Sequence, residues 1–324
     1  MKELLTNKFW QGVKKTFDEA REGRPSTVTK SHTPEGKPNA SVPAGTSAPT
    51  RAACTEPDGI LFDMDGVLYD ADRLINGAVE TVQWVQSERI PHLFVTNTTS
   101  RSRADLVSKL ASFDIAAVEA DILTPTAAAA EWLRANGEGD VAAFVKPPAL
   151  AEFADLPLLS EDAEHGAAYV VIGDMGDLWN YRTLNRAFRL LHSNPEAKLI
   201  ALGMTRYWMA GDGIALDVAP FVVALEHASG RKALIFGKPS AAFFRVAVDR
   251  LRLRPGQVLM VGDDLEADVG GAQGAGLKAA LVKTGKFRAP DLEKEIRPEV
   301  VFDSIAELPR WWRDQRFARP QTVR

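Results

Sequence analysis

At 324 residues, with 45% hydrophobic and 25% charged residues, the chain has ordinary globular composition and enough length for two domains and a large core. A net charge of −4 and a sequence pI of about 5.8 offer no basic surface for nucleic acid or an anionic membrane. One cysteine excludes an internal disulfide, the five histidines lack metal-ligand spacing, and there is neither a membrane-length apolar run nor a signal-peptide core, so the expected location is the cytoplasm.

Residues 1–56 read as a flexible N-terminal extension. Leu5, Phe9, Val13 and Phe17 recur at helical spacing and predict a short amphipathic helix, which docks or meets a partner or a membrane surface. Prolines 25, 34, 38, 43 and 49, among Gly, Ser, Thr and Ala, give 21–56 the composition of a disordered linker. From residue 58 strands and helices alternate. A buried strand runs through Gly59-Ile60-Leu61-Phe62-Asp63 and turns at Met64-Asp65-Gly66. A helix follows at 78–87, a strand at 92–95 ending in Thr96-Asn97, a helix at 103–113, a short strand at 122–124 and an Ala-rich helix at 126–135.

The block 137–232 reads as a second α/β unit. Its strands fall at 141–145, 169–172 and 199–202, none ending in carboxylates like the first. Helices are expected at 182–192 and 219–227, and a hairpin around Gly211-Asp212-Gly213. The first pattern then resumes: Gly237-Lys238-Pro239, a helix at 241–251, a strand at 258–261 ending in Gly262-Asp263-Asp264, a helix at 267–275, and strands at 279–282 and 300–302. Trp311 and Trp312 suggest a docked turn, followed by a basic tail at 317–324. The βαβα alternation implies a doubly wound parallel sheet over 57–136 and 233–316, with the middle block inserted into it.

The strand ends carry one chemical theme. Asp63 and Asp65 are alternate residues and share a side, about 6–7 Å apart along an extended chain. They can hold a hard cation, or act as nucleophile and proton carrier; the plainer alternative is a solvated turn. Thr96, Asn97, Lys238, Asp263, Asp264 and Asp268 fall on the same sheet edge. Three carboxylates near one point require a positive partner. An all-oxygen set favours Mg²⁺, whereas Lys238 and the donors of Thr96 and Asn97 suit a phosphate.

The order and spacing of Asp63-x-Asp65-Gly66, Thr96-Asn97, Gly237-Lys238-Pro239 and Gly262-Asp263-Asp264-x-x-x-Asp268 resemble the haloacid dehalogenase (HAD) superfamily. Thr96-Asn97-Thr98-Thr99 and Val282-Lys283-Thr284-Gly285-Lys286 resemble its subfamily IIA, the NagD-like phosphatases. The resemblance covers about 58–305. It implies an α/β, HAD-like Rossmannoid core with an inserted α/β type II (C2) cap. It implies a Mg²⁺-dependent phosphatase acting on small phosphorylated metabolites through an aspartyl-phosphate intermediate. In that reading Asp63 attacks phosphorus and Asp65 is the general acid and base. The Asp63 carboxylate, the Asp65 backbone carbonyl and Asp263 hold the metal. Thr96, Asn97 and Lys238 hold the phosphoryl group. Asp268 orients the metal's waters or Lys238, and Asp264 supports the site or caps a helix. Lys283 and Lys286 read as surface charges. Arg206, Tyr207 and Trp208, with Asp212 on the cap hairpin, could clamp a flat anionic leaving group or simply pack. The resemblance also implies a homodimer through the cap. The alternative is a catalytically idle, metabolite-binding or scaffold protein of the same fold, against which the intact acids at 63, 65 and 263 argue.

Overall fold

The apolar run that ends at Asp63 becomes the central strand of a parallel sheet. The computed structural model describes residues 56–210 and 213–317. Expectations for 1–55, Asp212, the Trp208 side chain and 318–324 lie outside the described residues. In chain order the elements begin with β1 (Gly59–Asp63), β2 (Tyr69–Asp70), β3 (Arg73–Leu74), α1 (Ala78–Ser87), β4 (His92–Val95), α2 (Arg103–Ala111), β5 (Ile122–Leu123) and α3 (Pro125–Asn136). The middle block holds β6 (Val141–Phe144), α4 (Pro147–Leu150), β7 (Tyr169–Ile172), α5 (Tyr181–Ser193), β8 (Lys198–Ala201), β9 (Tyr207–Ala210), β10 (Gly213–Leu216) and α6 (Val218–Ser229). The chain closes with β11 (Leu234–Ile235), α7 (Ala241–Leu251), β12 (Val258–Gly262), α8 (Gly271–Gly274), β13 (Lys278–Val282), β14 (Val300–Phe302) and α9 (Leu308–Phe317).

The first sheet has the order β14-β13-β12-β1-β4-β5, with every neighbouring pair parallel. From β1 the chain builds outward to β4 and β5, then returns to the other side for β12, β13 and β14. β1 therefore lies at the switch in strand order, where open α/β sheets leave a crevice beyond the strands' carboxyl ends. Alternation divides the core between the two faces. Ile60 and Phe62 pack with α1, α2 and α9 on one face. Leu61 packs on the other with α3 and α7.

The second sheet, β11-β8-β7-β6, is also parallel. One of its faces joins the Leu61 cluster through Val141, Tyr169 and Ile200, and the other packs on α5 and α6. The small residues Ala127–Ala130 of α3 are buried in the shared cluster, and Trp132 meets Tyr169 and Phe236 there.

Two expectations are corrected and three short strands are added. The tryptophan segment is helix α9, because Leu308 and Trp312, four residues apart, share the buried face. The structure adds a strand at Leu234–Ile235, which edges the second sheet, and a small hairpin of β2 (Tyr69–Asp70) and β3 (Arg73–Leu74). The helix expected at 267–275 starts as a wide turn over Leu265–Gly270, where Val269 N reaches back to Asp264 O. Such turns cluster at functional sites. Among the described residues no helix is long and apolar enough to cross a membrane.

Candidate active site

Parallel register brings the polar strand ends together. Asp63 pairs with Val95, so Thr96 and Asn97 come next along the same edge. Val261 pairs with Phe62, so Asp263 stands just beyond the neighbouring strand. Asp63, Asp263 and Asp268 are all buried, and one carboxylate oxygen from each lies within 4.8 Å of the others. Lys238 is buried among them, with Nζ 2.7 Å from Asp63 Oδ1 and 2.7 Å from Asp268 Oδ1.

Burial would by itself discharge Lys238, but Asp268 and Asp63 more than offset it and hold its pKa above the ordinary lysine value. The carboxylates show the opposite strain. Burial raises Asp63, against the pull of Lys238. Burial pushes Asp263 up to about 6, against the Lys286 N–H. Asp268 rises to about 7 through burial and the Asp63 charge. The cluster holds more negative charge than one lysine balances.

Asp263 shows what is missing. Its Oδ2 accepts from Lys286 N at 2.6 Å, while its Oδ1 is buried with no hydrogen-bond partner among the described residues. An unsatisfied buried carboxylate oxygen beside two more acids, with neither His nor Cys in the group, fits a hard cation held by oxygen ligands. Asp268 belongs to the same group of three.

The sequence-predicted residues divide as follows. Asp65 is exposed, one residue past the buried Met64; Ile60, Phe62 and Met64 share one cluster, so the alternation that sets Asp63 and Asp65 on the other side continues beyond β1. Burial and the charges of Asp65 and then Asp63 raise the Tyr69 phenol above its usual range. Thr96 is buried, and its Oγ1 accepts from Thr98 N at 3.2 Å. Asn97 spends its side chain on the lysine's backbone: Oδ1 accepts from Lys238 N at 2.7 Å and Nδ2 donates to Lys238 O at 2.9 Å. Its amide thus positions Lys238. Asp264 Oδ1 accepts from Glu266 N and Ala267 N, an N-cap for the turn that carries Asp268.

Arg206 and Tyr207 do not join the acidic cluster's contacts. Tyr207 is 54% exposed, and the Arg206 guanidinium lies 5.9 Å from its ring centre. Packing inside the cap is therefore not what Tyr207 does. The cap sheet does have an acidic strand end, contrary to expectation: Asp174 follows β7 and pairs with Lys146, just past β6, at 2.7 Å. The signal was present in Ile172-Gly173-Asp174, but a lone Asp after Gly reads as a turn. Asp217 lies close enough for the Asp174 charge to add to the burial that raises it. Lys286 reads as a surface charge and its side chain is 69% exposed, but its backbone N–H reaches the acidic cluster at Asp263 Oδ2. No side-chain pattern reports a main-chain donor.

Comparison with known proteins follows the same line. A haloacid dehalogenase-like hydrolase family model matches residues 60–158, and a HAD-hydrolase-like model matches 235–308. The chain is 35% identical over 261 residues to the human phospholysine phosphohistidine inorganic pyrophosphate phosphatase, covering 80% of this chain and 93% of that protein. It is 37% identical over 243 residues to the human haloacid dehalogenase-like hydrolase domain-containing protein 2, covering 75% and 90%. Among solved structures, the p-nitrophenyl phosphatase from Archaeoglobus fulgidus superposes with a TM-score of 0.71 at 27% identity, covering 79% of this chain and all of that one. NagD from E. coli K-12 shares the fold, with a TM-score of 0.69 at 23% identity over 78% of this chain and 98% of that one.

Proposed function

The chain belongs to the haloacid dehalogenase-like hydrolases and is a phosphatase of their NagD-like branch, and on that premise we propose that it hydrolyses small phosphorylated metabolites with Mg²⁺ through an aspartyl phosphate on Asp63. The observation that carries this reading is the buried trio Asp63, Asp263 and Asp268 around Lys238, with Asp263 Oδ1 lacking a donor among the described residues. Asp63, Asp263 and the Asp65 backbone carbonyl would hold Mg²⁺, with Asp268 beside them. When bound, the ion screens the negative charges of the attacking carboxylate and the phosphate from one another.

The chain's own groups account for the steps. The Asp63 carboxylate forms a bond to phosphorus as the bond to the leaving oxygen breaks. Asp65 gives its proton to that oxygen; its exposed position lets it reach the leaving group and, afterwards, water. In the second half Asp65 takes a proton from water, the water oxygen bonds to phosphorus, and the bond to Asp63 breaks. Lys238 balances charge on Asp63 and on the transferring group. Thr96 donates to a phosphoryl oxygen.

The cap selects the leaving group, and its Lys146–Asp174 pair and Asp217 lie at the carboxyl end of the cap strands. A methyl at Gly237 would sit 3.0 Å from the Leu202 carbonyl and 3.4 Å from Asn97 Oδ1, so the end of β8 abuts the lysine turn. The same reading includes a homodimer through the cap.

Phosphate release should be measured with and without Mg²⁺ from an aryl phosphate, pyrophosphate, phospholysine, phosphohistidine and a panel of phosphorylated metabolites. Activity should require the ion and fall to background in Asp63→Asn. Asp65→Asn should lose about 10²–10⁴-fold. An active Asp63→Asn enzyme would remove the covalent mechanism. No turnover across the panel would favour the idle, binding-only alternative.

A further inference from the structure

The loop after β13 reaches back over the acidic cluster, and its fit there exceeds what a surface turn requires. Thr284 Oγ1 donates to the Gly66 carbonyl at 2.5 Å, tying the loop to the turn that follows Asp63. Gly285 has φ +62°, and a Cβ there would be driven into Asp263 Oδ2 and would stand 2.5 Å from Gly66 Cα. A Cβ at Gly66, whose φ is +87°, would be driven into the same oxygen. Lys286 N then donates to that oxygen at 2.6 Å.

We propose that Thr284–Gly285–Lys286 is the positioning element of the metal site, holding Asp263 Oδ2 against two glycines and one N–H so that Oδ1 alone is presented to the cation. The inference rests on the Mg²⁺ reading above. A free aspartate side chain rotates about two bonds, and holding one oxygen removes that freedom before the ion arrives. The holding is done by the main chain and by the absence of a side chain at 285. The Lys286 ammonium lies 3.6 Å from Asp264 Oδ2 and is mostly exposed; its charge lowers Asp263, but the group that holds Oδ2 is the backbone N–H.

The test is Mg²⁺ titration by calorimetry of the full chain and two variants, beside phosphate release over a range of Mg²⁺. Gly285→Ala should bind Mg²⁺ about tenfold more weakly or worse, the effect expected when a ligand's support is lost. Thr284→Val, nearly the same shape, should weaken binding in the same direction and to a smaller extent. In Gly285→Ala and Thr284→Val, raised Mg²⁺ should restore most of kcat, which a general loss of structure would not allow. If wild type binds Mg²⁺ and both Gly285→Ala and Thr284→Val bind it equally well, the clamp is wrong and the metal reading stands. If Gly285→Ala does not fold, Thr284→Val decides alone by the same criterion. If wild type itself binds no Mg²⁺, the metal reading falls and takes the clamp with it.

Discussion

Lys238 stands where the arithmetic of charge is tightest. It contacts two buried carboxylates, and a third, Asp263, has an oxygen within 4.8 Å of theirs. Removing one partner from a buried ionic group leaves uncompensated charge and costs about 3–5 kcal/mol. Lys238→Met should therefore lower the urea midpoint at pH 7.5 without Mg²⁺ by that order; an unchanged midpoint would mean that the acids are already neutral. The acids' own titration gives a second expectation. Asp263 and Asp268 are raised to about 6 and about 7 in the fold, from an ordinary value of 3.8. The metal-free fold thus binds more protons than the unfolded chain between about pH 4 and 7. The contribution of these two groups to stability is present below pH 4 and is lost as pH rises through their folded values. Mg²⁺ binds the ionised forms and reverses that loss. The rise in Tm on adding Mg²⁺ should be larger at pH 7.5 than at pH 5, and equal rises at both would refute it.

Among the elements, α9 shows how a short signal can mislead. Two adjacent tryptophans near a basic end resemble a docked turn, yet the relevant spacing is Leu308 to Trp312, one helical turn. Trp312 is buried against Trp84 of α1, with ring centres 6.5 Å apart at 74°, and Trp311 meets Phe302 of β14. Trp312→Ala should cost about 3–5 kcal/mol of stability by thermal or urea unfolding. A loss below about 1 kcal/mol would show that α9 is a passive appendage. The same contrast runs through the whole chain. Strands 59–63, 92–95 and 300–302 were legible because they are apolar runs between turn signals, and helix 78–87 because its period is regular. The two-residue strands β2, β3 and β11 carry no period at all and exist only through their partners. The acids of the site were legible because a strand that ends in carboxylates is an unusual use of a buried element. The roles of Asn97 and Lys286 were not, because one spends a side-chain amide on a distant backbone and the other uses its N–H.

At the scale of the molecule, the cap sheet shares an apolar cluster with the catalytic sheet and leaves its β9–β10 hairpin outside it. Leu216 lies directly opposite Tyr207 across that hairpin, and Ile214 is two residues along the same face of β10. They are 63%, 54% and 72% exposed. Three large apolar side chains on one face of a two-stranded ribbon are costly to leave in water, and a second copy laid against them would cover them. This supports the cap-mediated dimer. Light scattering should then give about twice the 35.3 kDa chain mass for wild type. The double variant Ile214→Lys, Leu216→Lys should give the mass of one chain, because like charges brought together at a two-fold contact repel. Its turnover of the aryl phosphate should persist, since Asp63, Asp263, Asp268 and Lys238 all come from elements outside the hairpin. A wild-type monomer at micromolar concentration, or a double variant that remains a dimer, would show that this face serves another purpose.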